Sequence, residues 1–225
     1  MVRKSIYGID IIFCIDATAG MKTQLEALKK GIPLLASNIC NLLERQNKGL
    51  EQLRMKIIEF RDFAWDENPL NESEFFILPQ QNDAFEQCLN GIVAAGGGDS
   101  DESALEALAL ALKSRFIKTG SKYRQIIFLF TDSSAHPLGY GKDSPLYPKD
   151  MPESIDRLID WWNGSEAVPG GSLEPRDARL VLYAPDVYPW CVIKDVDRCW
   201  FVPSEESGDL SNSVRSLLEN LLTMY

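Results

Sequence analysis

Three stretches of the chain carry residues that could do chemistry together: Asp16-Ala17-Thr18, Asp99 within Gly96-Gly97-Gly98-Asp99-Ser100-Asp101-Glu102, and Thr131-Asp132. Three carboxylates and a hydroxyl are hard oxygen donors, the set that holds Mg²⁺ or a similar ion such as Mn²⁺ or Ca²⁺. The candidate metal-ligating residues are therefore Asp16, Thr18, Asp99 and Asp132. No catalytic residue is expected. A Mg²⁺-dependent phosphatase with an Asp nucleophile after its first strand needs a second Asp two positions on, where this chain has Thr18. The Gly-x-Ser-x-Gly elbow of serine hydrolases is absent, and Gly96-Gly97-Gly98 lacks the Gly-Lys-Ser/Thr that completes a phosphate loop.

The elements that must position these residues are readable from apolar spacing. Ile11 to Ile15 is an unbroken apolar run ending at Asp16, and Ile126 to Phe130 is a second one ending at Thr131-Asp132. Strands apolar on both faces belong to parallel sheets covered by helices, which take ligands at their carboxyl ends. Leu25, Leu28, Ile32, Leu35, Ile39 and Leu42 predict a long first helix, bent near Pro33. Met55 to Phe60 predicts a second strand ending in Arg61-Asp62, and Glu74 to Leu78 a short third strand at the sheet edge. Asn82 or Asp83 caps a short helix through Leu89. The helix carrying Leu105, Leu108, Leu112 and Phe116 starts directly behind the Gly-rich loop. Glu102 then sits in its first turn, where the helix dipole favours an acid, and Asp99 is suited to cap it as well as to ligate.

From Ser133 to Asp177 Pro and Gly leave room for one helix, around Glu153 to Trp162, forming a long rim. Adjacent Trp161 and Trp162 cannot face the same way on that helix, which predicts one in the core and one partly exposed. Leu180 to Tyr183 and Cys199 to Val202 predict two more strands, and Leu210 to Met224 a closing helix. The alternation predicts one domain over residues 1–225, a doubly wound α/β fold. Its mostly parallel central sheet has helices on both faces and one short antiparallel edge strand.

With 225 residues, 45% of them hydrophobic, the chain can bury one sizeable core. A net charge of -10 repels phosphate backbones and anionic lipid, which argues against nucleic acid and membrane surfaces as partners. No apolar run approaches the roughly 20 residues of a membrane helix, and Met1-Val2-Arg3-Lys4 leads almost directly into the first strand without a signal peptide. Five cysteines without a C-x-x-C pair read as free thiols of a reducing cytoplasm. His136, the one histidine, reads as a solvated loop residue on the rim of the candidate site.

In order and spacing, Ile15-Asp16-Ala17-Thr18-Ala19-Gly20-Met21, the Gly96 to Glu102 loop and Phe130-Thr131-Asp132-Ser133-Ser134-Ala135-His136-Pro137 resemble the von Willebrand factor A domain family. The resemblance runs from about Ile9 to the last helix. It implies a metal-ion-dependent adhesion site in which hydroxyls and acids hold a cation and a partner's carboxylate completes the coordination. It thus implies a protein-interaction module that performs no chemistry. Two departures from the family pattern matter. Gly20 occupies the position of the second hydroxyl, and Asp99 stands where many members carry Thr, although a branch with Gly-Gly-Gly-Asp-x-Pro-Glu is similar, with Asp101 here replacing the Pro. Three carboxylates around a divalent ion leave a formal charge of about minus one, so the expected site holds its cation firmly and acidic ligands weakly.

In overall character the chain looks like stand-alone bacterial members of tellurium-resistance-type systems. That resemblance implies a cytoplasmic monomer serving a Ser/Thr kinase or phosphatase system. The alternative is a scaffold whose metal site Gly20 has disabled and which binds through the 133–177 rim.

Overall fold

The computed structural model describes residues 4–204, so the closing helix expected over Leu210–Met224 lies outside the described residues. The chain begins with β1 (Ile6–Asp16), then α1 (Lys22–Gly31), α2 (Pro33–Arg45) and β2 (Gly49–Phe60). Two short strands, β3 (Leu70–Glu72) and β4 (Phe76–Leu78), precede α3 (Asn82–Gly91), β5 (Asp101–Glu102) and α4 (Ala104–Leu112). There follow β6 (Lys122–Phe130), β7 (Ser134–Ala135), α5 (Ile155–Asn163), β8 (Ala178–Ala184), α6 (Trp190–Ile193) and β9 (Cys199–Pro203).

Every residue of β1 after Ile6 is buried, as a central strand covered on both faces requires. The main sheet runs β3-β2-β1-β6-β8-β9, with β2, β1, β6, β8 and β9 mutually parallel. The antiparallel edge is present, but it is built of two pieces, β3 and β4, both paired to β2. Three residues separate them, the first being Ser73. Its hydroxyl accepts from the Ile57 amide (3.0 Å) and donates to the Glu74 carbonyl (2.8 Å), substituting for the ladder where the expected strand would have begun.

The chain reverses its direction of winding at β1, with β2 on one side and β6 on the other. Register pairs Asp16 with Phe60 and Ile15 with Phe130, so Asp16, Asp62 and Asp132 all emerge at one end of three adjacent strands. That end of a switch point is where open α/β sheets take ligands.

Alternation along β1 divides the core into two layers. Ile9, Ile11, Phe13 and Ile15 pack with Leu25, Leu28, Ile32, Leu35 and Ile39 of α1 and α2 and with Phe85 and Leu89 of α3. Phe13 stacks on Phe128 at 5.4 Å between ring centroids, and Phe128 on Phe130 at 5.9 Å. On the other face Ile12 and Cys14 pack with Leu105, Leu108 and Leu112 of α4 and with Trp161 and Trp190. The expected bend near Pro33 is a helix break, and Pro33 opens α2, where its missing amide costs nothing.

Trp161 and Trp162 are both buried, at 2% and 4% exposure, and this corrects the expectation of one exposed ring. The Trp162 indole donates to the Asp197 carbonyl (2.8 Å), so the segment before β9 helps to bury the second ring. All five cysteines are free, and no helix among the described residues is long and apolar enough to cross a membrane.

Candidate metal centre

Asp16 ends β1 wholly buried, and both its carboxylate oxygens accept hydrogen bonds. Oδ1 accepts from the Thr18 amide (2.9 Å) and hydroxyl (2.7 Å), and Oδ2 accepts from the Thr131 hydroxyl (2.7 Å). The first and third sheet-end loops are therefore fastened to each other through this one acid. Burial pushes the Asp16 carboxyl up to about 6, more than these hydrogen bonds pull it down, and the charge of Asp132 adds to the rise.

The Gly-rich loop closes over this pair. Gly97 has φ +84°, and a Cβ there would lie 3.1 Å from Glu102 Oε1 and 3.2 Å from Thr18 Cβ. Gly96 has φ +77°, and its Cβ would fall on the Asp66 carboxylate. Only glycine adopts this backbone at such close approach. Asp66 Oδ2 then accepts from the Gly97 amide (3.2 Å) and the Asp62 amide (3.1 Å), and the Ala95 amide donates to the Ala17 carbonyl (2.9 Å).

Between the loops lies a cleft of about 260 Å³ lined by Thr18, Gly20, Asp99, Glu102, Asp132 and Ser133 among others. Of the four residues expected as ligands, Thr18, Asp99 and Asp132 face this cleft and Asp16 lies beneath Thr18. A Cβ on Gly20 would stand 3.1 Å from Asp132 Oδ2, so the missing hydroxyl of the resemblance is missing at the cleft wall itself.

Asp99 is not a helix cap. Ser103 holds that position before α4, and its hydroxyl accepts from the Phe63 amide (3.1 Å). The Asp99 carboxylate instead reaches the Asp101 amide (3.0 Å), the exposed Trp65 indole (3.3 Å) and His136 Nε2 (3.2 Å). Glu102 is not in the first turn of a helix either. It belongs to β5, whose two residues pair in parallel with β7, and the His136 amide donates to the Glu102 carbonyl (3.0 Å).

Glu102 is 2% exposed, and its Oε2 has no hydrogen-bond partner. Burial, and then the charges of Asp16, Asp62, Asp66 and Asp99, push its carboxyl up to about 9. An orphaned buried carboxyl among four others calls for a proton or a cation. Arg61, the base next to Asp62 in sequence, is spent on Glu59 (2.9 Å) and on the Val93 (2.8 Å) and Ala95 (2.9 Å) carbonyls.

His136 departs most from expectation. It is buried, stacked on Tyr140 with centroids 3.7 Å apart, and its Nε2 lies 2.9 Å from Asp62 Oδ2. The sequence gives Asp62 no role beyond a strand end, reads Glu102 as a helix-dipole acid and leaves the burial of His136 unseen. One signal was present: Asp62, like Asp132, lies two residues past the end of a strand of the sheet.

A family model described as von Willebrand factor A domain matches residues 10–140. No curated protein sequence matches the chain. Among solved structures, the pilus adhesin SpaC of Lactobacillus rhamnosus GG superposes at TM-score 0.55 and 10% identity, covering 98% of this chain and 30% of that one. A von Willebrand factor type A protein from Catenulispora acidiphila does so at TM-score 0.55 and 13% identity, covering 96% of this chain and 42% of that one. The chain thus spans less than half the length of either protein, and at these identities the likeness is one of fold.

Proposed function

The chain belongs to the von Willebrand factor A domain family, and on that premise we propose that it is a metal-ion-dependent protein-interaction domain and no enzyme. Asp16, Thr18, Asp99 and Asp132 would hold a divalent cation, Mg²⁺ or alternatively Mn²⁺ or Ca²⁺, with Glu102 beside them. The observation that carries the reading is the unpartnered, buried Glu102 Oε2 in an all-oxygen cleft. The bound ion supplies a Lewis-acidic point at which a partner's carboxylate can complete the coordination. This chain's own residues do the rest. Thr131 and Thr18 fix the Asp16 carboxylate, and the Gly96-Gly97 backbone seals the cleft on one side. Trp65, 61% exposed and bonded to Asp99, offers a partner apolar surface next to the ion. The adhesin neighbour is in keeping with a binding role.

The narrower reading is a monomeric, cytoplasmic module of a bacterial tellurium-resistance-type or Ser/Thr kinase or phosphatase system. It draws on the free thiols and on resemblance, and co-purification without any kinase or phosphatase would remove it.

Calorimetric titration of Mg²⁺ into chelator-treated protein tests the main reading: the wild type binds one ion and Asp132→Ala binds none. Absence of binding by the wild type would transfer the function to a metal-free scaffold using the 133–177 rim. Gly20→Ser brings a hydroxyl to within reach of Asp132 and is expected to tighten Mg²⁺ binding about tenfold, the worth of one good oxygen contact. Unchanged affinity in that variant would mean that the ion does not sit against Gly20.

A further inference from the structure

We propose that Asp62, His136 and Asp99 form a second cation site, distinct in chemistry from the first and selective for a transition-metal ion of the Zn²⁺ kind. One ligand atom from each of the three lies within 4.8 Å of the others, and Asp62 and His136 are buried. The same ring nitrogen, His136 Nε2, faces both carboxylates, Asp62 Oδ2 at 2.9 Å and Asp99 Oδ1 at 3.2 Å. A single N–H has one proton to give to these two acceptors, and an unprotonated Nε2 would point a lone pair at both. A cation shared by all three atoms resolves the conflict. A tetrahedral ion about 2.1 Å from each ligand keeps its ligands about 3.4 Å apart, so only small movements are needed.

Glu102, 2% exposed and with Oε2 unpartnered, lines the cleft of the first site together with Asp99, so the second cluster stands on its own three ligand atoms and gains from Glu102 only a buried acid close by. The ligands are also preset. Asp62 Oδ1 accepts from the Ala64 amide (2.6 Å), which leaves Oδ2 for the ion. The His136 ring is clamped by Tyr140 at 3.7 Å, and its backbone is tied to Glu102.

Imidazole separates the two sites in metal preference. The first offers only oxygen, suited to Mg²⁺, whereas a nitrogen ligand favours Zn²⁺ and its neighbours in the first transition row. The inference goes beyond the proposed function, because Asp62 and His136 take no part in the first site; Asp99 is the one residue the two sites share.

Because His136 is the only histidine, its imidazole ¹⁵N resonances are unambiguous. Zn²⁺ titrated into Mg²⁺-saturated protein is expected to shift them with an end point at one equivalent. His136→Gln is expected to weaken that Zn²⁺ binding by more than about tenfold, the least that even an outer-shell loss costs. Asp99→Asn, at a half-exposed position that folding can spare, is expected to do the same. Imidazole resonances that respond to pH but not to Zn²⁺ would identify a simple ion pair and overturn the proposal, as would unchanged Zn²⁺ affinity in folded Asp99→Asn. Loss of Mg²⁺ binding alone, with the Zn²⁺ response kept, would count against the first site and not this one.

Discussion

Chelator-treated protein is expected to lose about 4–8 °C of melting temperature, about 2 kcal/mol, as pH rises from 5 to 9, and Mg²⁺ to remove most of that loss. The sign follows from Glu102, whose carboxyl ionises near 4.5 in the unfolded chain but is held up to about 9 in the fold by burial and neighbouring acids. Below about 4.5 both states keep the proton and the fold carries no penalty. Between these values the unfolded chain releases the proton while the folded one retains it, so stability falls with each step of pH. Above about 9 the penalty is complete. Asp16, raised to about 6, contributes in the same sense over a narrower window, and Asp10 and Glu106 are also raised, chiefly by burial. A divalent ion bound in the cleft would supply the missing positive charge there, so Glu102 and Asp16 would ionise without loss, whereas Asp10 and Glu106 lie outside the cleft and keep their share of the profile. Glu102→Gln should flatten the profile of the metal-free protein, and a wild-type melting temperature independent of pH would sink the argument.

Asp10→Ala is expected to be the most damaging single substitution outside the hydrophobic core, costing about 3–5 kcal/mol, as removal of one partner of a buried ion pair does. Asp10 is wholly buried within β1. Oδ1 accepts from Arg54 Nε (2.8 Å), and Oδ2 accepts from Arg54 Nη2 (2.7 Å) and the Ile117 amide (2.7 Å). Arg54 also donates to the Arg115 carbonyl (3.0 Å) and lies 4.2 Å from the Phe75 ring centroid. Deleting the carboxylate strands a guanidinium and an amide in a place water scarcely reaches. The melting temperature should fall by about 6–20 °C. The double variant Asp10→Leu, Arg54→Met removes both charges and should recover much of the loss. A fall in Asp10→Ala of less than about 1 kcal/mol, the range of an exposed pair, would show that the pair is hydrated.

What the sequence reveals and conceals here depends on distance along the chain. The strand ends carrying Asp16 and Asp132 are steps from apolar to acidic within two residues, and the two-sided apolar runs already specify a parallel, covered sheet. Asp10 interrupts such a run, and the partner that makes it tolerable, Arg54, is 44 residues away. His136 meets Asp62 across 74 residues, so nothing local distinguishes it from a solvated loop residue. Glu102 has a helix-start sequence, Asp-Glu-Ser before an Ala-Leu-rich run, but pairing with Ser134-Ala135 draws it into a strand. In each case a tertiary contact overrides a correct local preference.

The two-residue pairing of β5 with β7 also governs how the molecule would carry load. On the proposed function, a partner gripping an ion in the cleft would pull on Asp132, just past β6, and on the Gly96 loop, which runs between α3 and β5. The Glu102–His136 backbone bond at 3.0 Å, and the hydroxyl of Ser134 on Asp101, splice those peptides just beyond the cleft. Tension is then divided between β6 and α4. The splice thus ties the two loops together beside the cleft, so that a pull on one is shared by the other.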